Sequence, residues 1–321
     1  MTTSNSIDFT QTAGEVVKDS LILLGVVHPE EVVQAATQSY AIDVLNKMIK
    51  AWRGQGIKLW GLGQGALLFD NDVTAYTFHN KSGTGGKVGA GIVASGLVQT
   101  TLSAAEAAAQ TVLSVTSSTG MTASDKIVMQ LDSGARHETT IASVDSSIQI
   151  TVNDALPSVA ASGSYVYAYT LTTDEISHPE MIRNVRLKND NNNEVPIRLV
   201  NRDEYMELTD KQTEGSPFIC YFDKQLTNPV LYVYTEPDNL QESLRFDYTK
   251  TLEDIDATTN NLYFPDEWLE AITYNLALRL ASAFGKETKL TVIAPLADQF
   301  LDDAKRADDT DPHVIFYPRI L

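Results

Sequence analysis

The sequence predicts an α+β protein: a discontinuous helical bundle built from the two ends of the chain, and a β-rich middle domain carrying an inserted small β-barrel or sandwich. Amphipathic helical spacing is confined to about residues 12–53 and 266–306. Everything between reads as strands, turns and loops. Within that middle, residues 83–171 change composition, becoming rich in Gly, Ala, Ser and Thr and poor in charge. A helical pattern that opens and closes a long β-rich stretch implies one helical body whose halves pair in space. The predicted division is therefore 1–60 with 263–308 as a helical domain, 61–82 with 172–262 as a β domain, 83–171 as an inserted β subdomain, and 309–321 as an extended tail.

Each helix follows from spacing and end signals. Ala13, Val16, Val17, Leu21 and Leu24 recur at one face of a first helix. Thr12 is its N-cap, Glu15 three residues on completes a capping box, and Gly25 stops it. A second helix starts near Pro29-Glu30-Glu31, where proline and acids suit a first turn. Ala41, Leu45, Met48 and Trp52 are its stripe, and Gly54 and Gly56 end it. Pro265-Asp266-Glu267 repeats the start signal. Leu269, Ile272, Leu276, Leu280 and Ala283 follow, closed by Gly285. Leu290, Ile293, Ala297, Phe300 and Ala304 mark the fourth helix, in which Pro295 should kink or split the coil. These stripes are core-packing faces.

The middle resolves into strands by alternation and turn residues. Ala66–Phe69 and Ala75–Phe78 flank the turn-forming Asp70-Asn71-Asp72. Met181–Leu187 is a strand, Asn189–Asn193 a hairpin tip, and Val195–Val200 the return strand. Asp203–Leu208 reads as a short helix, and Val230–Tyr234 and Leu244–Tyr248 as further strands. In the insertion, Val112–Val115, Lys126–Leu131, Thr139–Val144, Ile148–Val152 and Tyr165–Tyr169 are strands. Turns at Thr119-Gly120, Ser133-Gly134 and Asp145-Ser146-Ser147 separate them at the short intervals of a barrel or sandwich.

Composition excludes several functions. With 42 acidic against 24 basic residues the net charge is −18, and wrapping nucleic acid needs clustered Lys and Arg. An acidic surface is suited to solubility, or to lining a passage through which DNA moves without sticking. No helix is long and apolar enough to span a bilayer, and Met1–Thr10 is polar, unlike a secretory segment. A soluble chain used in a reducing compartment is expected. Cys220 is the single cysteine, so no intrachain disulfide can form, and beside Tyr221 and Phe222 it reads as a buried, inert thiol.

The search for chemistry finds none. In the glycine-rich run Gly83–Gly91, Lys87 follows Gly86, but Val88 and Lys81 stand where a phosphate-binding loop needs Ser or Thr and Gly. Gly89-Ala90-Gly91 imitates a dinucleotide fingerprint, yet Ser95-Gly96 interrupts any following helix. His28, His79, His137, His178 and His313 lack metal-ligand spacing, and His137-Glu138 lacks a zincin's second histidine. No serine occupies a nucleophile elbow. Asp70-Asn71-Asp72 lacks the rest of a calcium loop. No catalytic, cofactor or metal residue is assigned.

The order of several motifs is recognisable. Val16–Val26, Ala41–Trp52 and Gly56-Ile57-Lys58-Leu59-Trp60 resemble the opening of phage head-to-tail adaptor proteins, the head-completion or connector factors of short-tailed phages and their relatives. Asp203-Glu204-Tyr205, Gly215-Ser216-Pro217, Leu231–Tyr234 with Glu236-Pro237, and Leu262–Pro265 leading into Glu270–Ala277 are similar to later parts of that family. The resemblance covers about 10–80 and 172–306, while 83–171 departs from the compact family pattern.

The resemblance implies a non-enzymatic virion protein of the neck, assembled in the host cytoplasm. It would form a ring, usually of about twelve copies, below the portal protein. Such a ring extends the DNA channel, retains the packaged genome and docks a tail or nozzle protein. DNA would pass without sequence-specific binding. Candidate channel-facing acids are Asp298, Asp302, Asp303, Asp308 and Asp309, with Asp311 beyond them. The apolar terminus after Pro312, with Val314, Ile315, Phe316, Tyr317, Ile320 and Leu321, either docks on its own domain or adds a strand or plug to the portal. Two other classes stand beside this reading: a tail-associated host- or glycan-binding β protein working through 83–171, and a cell-wall hydrolase.

Overall fold

The computed structural model describes residues 9–54, 61–70, 73–78, 92–93, 97–170, 176, 178–189, 191–251, 254–262 and 264–308, with 92, 93 and 308 described by backbone alone. The helices are α1 (Ala13–Leu24), α2 (Ala35–Gly54), α3 (Arg202–Met206), α4 (Leu269–Leu280) and α5 (Leu290–Asp308). The strands are β1 (Leu62–Leu68), β2 (Ala75–Thr77), β3 (Ile92–Val93), β4 (Val98–Thr101), β5 (Val112–Ser114), β6 (Lys126–Gln130), β7 (Arg136–Ser146) and β8 (Gln149–Val152). They continue with β9 (Tyr165–Tyr169), β10 (Met181–Lys188), β11 (Glu194–Pro196), β12 (Arg198–Val200), β13 (Ile219–Asp223), β14 (Val230–Tyr234) and β15 (Ser243–Thr249). The chain is mixed α+β with a β-rich middle, as its sequence predicts. Two compact units result, one from residues 1–61 with 252–321 and one from 62–251.

In the first unit, α1 is capped as its sequence requires. The Glu15 amide donates to Thr12 Oγ1 at 3.3 Å and the Thr12 amide donates to the Glu15 carboxylate at 2.8 Å. The Thr12 amide and hydroxyl hold the Glu15 carboxyl below its ordinary range. Gly25, at φ 66°, closes the helix in the left-handed region. By contrast, α2 begins at Ala35 rather than at Pro29-Glu30-Glu31. Those residues form a turn in which the Glu31 amide donates to the His28 carbonyl at 2.9 Å. Proline and acids suit a turn as well as a helix start, and this stretch carries no helical stripe: Val33 alone is buried, and Val32 beside it is 88% exposed.

At the other end of the chain, Asp266–Trp268 form one 3₁₀ turn ahead of α4. Leu269, Ile272, Leu276 and Leu280 are buried as their spacing predicts, but Ala283 lies exposed past the helix end and Ala281 takes the inward place. The last helix, α5, runs unbroken through Pro295. Pro295 sits in its second turn and removes a single donor, so the helix is not split there.

One core joins both ends of the sequence: Val17, Leu21, Leu45, Met48 and Trp52 meet Trp268, Ile272, Leu276 and Ile293. The rings of Trp52 and Trp268 are 5.8 Å apart. Ser20 Oγ donates to the Thr273 carbonyl at 2.9 Å. Asn46 exchanges two hydrogen bonds with the Ile255 backbone, at 2.7 and 3.0 Å. The segment 254–262 also belongs here, since the Ala13 and Gly14 amides donate to Asn260 and Thr258 carbonyls.

The second unit holds three sheets among its described residues: β11-β10-β15-β1-β3, β12-β13-β14-β2 and β4-β9-β6-β7-β8-β5. The first two enclose one core in which Leu67, Leu187, Leu244 and Phe246 meet Tyr76, Cys220, Leu231 and Val233. In β1 the Gly63 and Gly65 positions lie opposite Tyr248 and Phe246 on β15. The glycines leave room for these rings, which close down onto the strand.

The opposite face of β1 presents Ala66 and Leu68, which pack with Val128, Tyr167 and Tyr169 of the third sheet. That sheet is curled: Leu102, just after β4, bridges Val115, just after β5. Its own core is formed by Leu113, Ile127, Met129, Ile141, Ile150 and Val166.

The predicted return strand Val195–Val200 is two strands. Its first half, β11, pairs with β10; after Ile197 the chain crosses to the other sheet, where β12 runs parallel to β13. Strands β3, β4 and β13 are additional to those read from the sequence, although Phe218–Phe222 is a visible apolar run. The predicted turn Asp70-Asn71-Asp72 lies partly outside the described residues, and Gly83–Gly91 wholly so.

Candidate functional site

The described surface offers faces more than a chemical centre. Among the described residues no three His, Cys, Asp or Glu side chains gather to hold a metal ion. His28 lies in the α1–α2 connection, His137 on β7 and His178 before β10, while His79 and His313 fall outside the described residues. Cys220 is fully buried in the core between the first two sheets, and burial pushes its thiol up to about 12. A thiol of that kind stays protonated below that pH. In native protein it should therefore resist a disulfide reagent at pH 8, and react stoichiometrically once denaturant is added. Fast labelling of the folded chain would contradict this burial.

The amphipathic helix α5 positions the candidate acids. Ile293, Ala297 and Ala304 face the core, and Asp298, Asp302 and Asp303 are exposed on the other side. Asp298 and Asp302 stand one turn apart; Asp303 pairs with Arg306 at 3.6 Å. Asp308 ends the helix, with its side chain outside the described residues. Asp309, Asp311 and the tail residues Val314, Ile315, Phe316, Tyr317, Ile320 and Leu321 also lie outside the described residues.

Other features of the first and second units were not read from the sequence. In the first, a cleft of about 430 Å³ runs between α1 and α4, where apolar Phe9, Ile22, Leu23 and Leu269 alternate with polar groups that include Asp19, Asp266 and Glu270. In the second, α3 packs Tyr205 against Tyr221 and Tyr232, with ring centroids 5.7 and 5.5 Å away, and Lys211 Nζ lies 5.4 Å from the Tyr205 centroid.

The second unit also carries a basic crevice of about 200 Å³, lined by Gln64, Arg186, Lys188, Glu194 and Arg245. The alternation of Arg186 and Lys188 was a legible signal. Their meeting with Arg245 depends on the pairing of β10 with β15, which no local pattern specifies.

The exposed carboxylates of α5 and the cleft between α1 and α4 are contact features of the surface. The chain belongs to the SU10 adaptor protein family, whose model matches residues 126–315. It is thus a phage structural adaptor. No curated protein matches the chain. The family match takes in β6–β9, so residues 126–171, which the sequence reading set apart from the family pattern, fall inside it. Helices α1 and α2, on which that reading partly rested, fall outside it.

Proposed function

We propose that this adaptor is a head-to-tail connector that assembles as a ring, usually of about twelve copies, beneath the portal vertex. The family match over residues 126–315 carries this reading. Adaptors of this kind associate with portal and tail components and are virion proteins of the head–tail junction. In the proposed assembly, made in the host cytoplasm, the ring extends the DNA channel, helps retain the packaged genome and gives the tail or nozzle protein its docking surface. Its chemistry is structural. No described helix is long and apolar enough to cross a membrane.

The proposed division of labour has four parts. A discontinuous bundle, 1–60 with 263–308, packs against neighbouring subunits and portal. A β domain, 61–82 with 172–262, and a small inserted β-barrel or sandwich, 83–171, face outward or toward the tail. Residues 309–321 dock on the portal. Exposed Asp298, Asp302 and Asp303, together with Asp308 and Asp309, are the proposed channel-facing acids. Carboxylates there would repel phosphate, so DNA passes without binding.

Negative-stain imaging of the chain mixed with its portal tests the assembly. Rings seated on portal are expected, from a chain that is mainly monomeric alone. Deleting residues 313–321 should leave the monomer folded and abolish attachment. Attachment that survives the deletion, or a truncated monomer that unfolds, would remove the docking role of the tail.

A further inference from the structure

The basic crevice of the second unit is built in a way that sheet stability does not explain. Arg186 on β10 stands directly opposite Arg245 on β15, and like charges in cross-strand register repel. Lys188, two residues along β10, shares their face. Among the described residues lining the crevice, Glu194 is the one carboxylate. Its Oε2 lies 3.3 Å from Arg186 Nε, yet that buried nitrogen makes no hydrogen bond.

Arg245 makes no hydrogen bond or ion pair with any described residue. The groups that attract it electrostatically are Tyr167 and Glu194. Tyr167 is no counter-ion: burial pushes its phenol up to about 12, and its hydroxyl donates to the Gln241 carbonyl at 3.1 Å. The next acid along β15, Asp247, accepts from Asn184 Nδ2 at 2.7 Å. Lys188 Nζ donates to Gln99 Oε1 at 2.6 Å. Burial lowers the proton affinity of Lys188 and of Arg245, and Arg245 lowers that of Lys188 further. Three cations are thus held together with one carboxylate between them, in a chain whose net charge is −18.

We propose that this crevice binds one oxyanion, a carboxylate or phosphate group, between the guanidinium groups of Arg186 and Arg245 with Lys188 as the third charge. Guanidinium forks match paired oxygen acceptors, and their bonds to anions are the strong ones. A space of about 200 Å³ admits a single such group. The acidity of the chain as a whole opposes a nucleic-acid strand, whose affinity rests on neutralising many phosphates. The group comes as a free ion or at the tip of an acidic side chain of a protein.

Thermal unfolding of the full chain, titrated at constant ionic strength with inorganic phosphate or with hexaglutamate against a chloride control, tests this. At least one probe should raise the unfolding temperature saturably while chloride does not. Arg245→Gln and Arg186→Gln should each weaken that response about ten- to hundredfold. Lys211→Gln, in the α3–β13 connection, should leave it unchanged. Without anion, Arg245→Gln should raise the unfolding temperature, because the repulsion across β10 and β15 is relieved. A stronger response to hexaglutamate identifies the group as a protein carboxylate, and a stronger response to phosphate as a free oxyanion. No saturable response to either probe, or an equal one in both arginine variants, overturns the proposal.

Discussion

Replacing Trp268 with alanine should cost the helical unit about 3–5 kcal/mol, the range for truncating a buried aromatic. Trp268 is fully buried. It touches the stripe of α2 through Trp52, at 5.8 Å between centroids, and its own chain neighbourhood through Phe264 at 6.2 Å. Its loss would open a cavity where sequence positions from the two ends of the chain meet, so the surroundings can collapse only by moving both. Against a typical total of roughly 5–15 kcal/mol, that is a large share. Trp52 and Trp268 both lie in the core of this unit, and residues 62–251 of the β unit contain no tryptophan. Tryptophan emission therefore reports its unfolding, with buried Trp52 remaining as a probe in the variant. The urea midpoint should fall markedly. A midpoint within experimental error of the wild type would mean that Trp268 does not join the two ends of the chain.

Gly65→Val should be the most damaging small substitution in the β unit. A Cβ at Gly65 would stand 2.5 Å from Ile176 Cδ1 and 2.7 and 2.8 Å from the Phe246 ring. Both neighbours are buried, Ile176 at 3% and Phe246 at 1% exposure, so neither can swing into solvent. Phe246 is paired directly opposite Gly65, and the clash would push β1 and β15 apart at that register. Overpacking of a closed core costs roughly 1–3 kcal/mol, and a branched side chain should reach the upper end. Amide hydrogen exchange in β1 and β15 should accelerate, and the tyrosine-reported unfolding midpoint should drop. The companion variant Phe246→Ala, Gly65→Val should recover part of the loss by removing one of the two obstacles. Unchanged exchange in both strands would show that the sheet accommodates the added carbons.

How much was legible varied with the range of the interaction. For α1, the Thr12–Glu15 box and the left-handed Gly25 lie within a few residues of what they cap, so start, stop and buried face could all be read. The start of α2 could not, because Pro29-Glu30-Glu31 is equally competent as a turn and no local signal separates the two. The segment 195–200 was visible as β-forming, but β propensity carries no address. Its division at Ile197 depends on β10 on one side and β13 on the other. Of the candidate acids, the exposure of Asp298, Asp302 and Asp303 followed from helical period alone. The basic crevice did not, since Arg186 and Arg245 become neighbours only when β10 finds β15.

The sequence by itself determined the α+β class, the periodicity of the helices, most strand positions and the inert character of Cys220, because each is written in the identity and spacing of nearby residues. Tertiary structure alone decided which strands share a sheet, that Gly63 and Gly65 lie beneath Tyr248 and Phe246, and that three cations converge on one carboxylate. Those outcomes turn on pairings between distant segments, where side-chain packing selects among partners that hydrogen bonding of the backbone would accept alike.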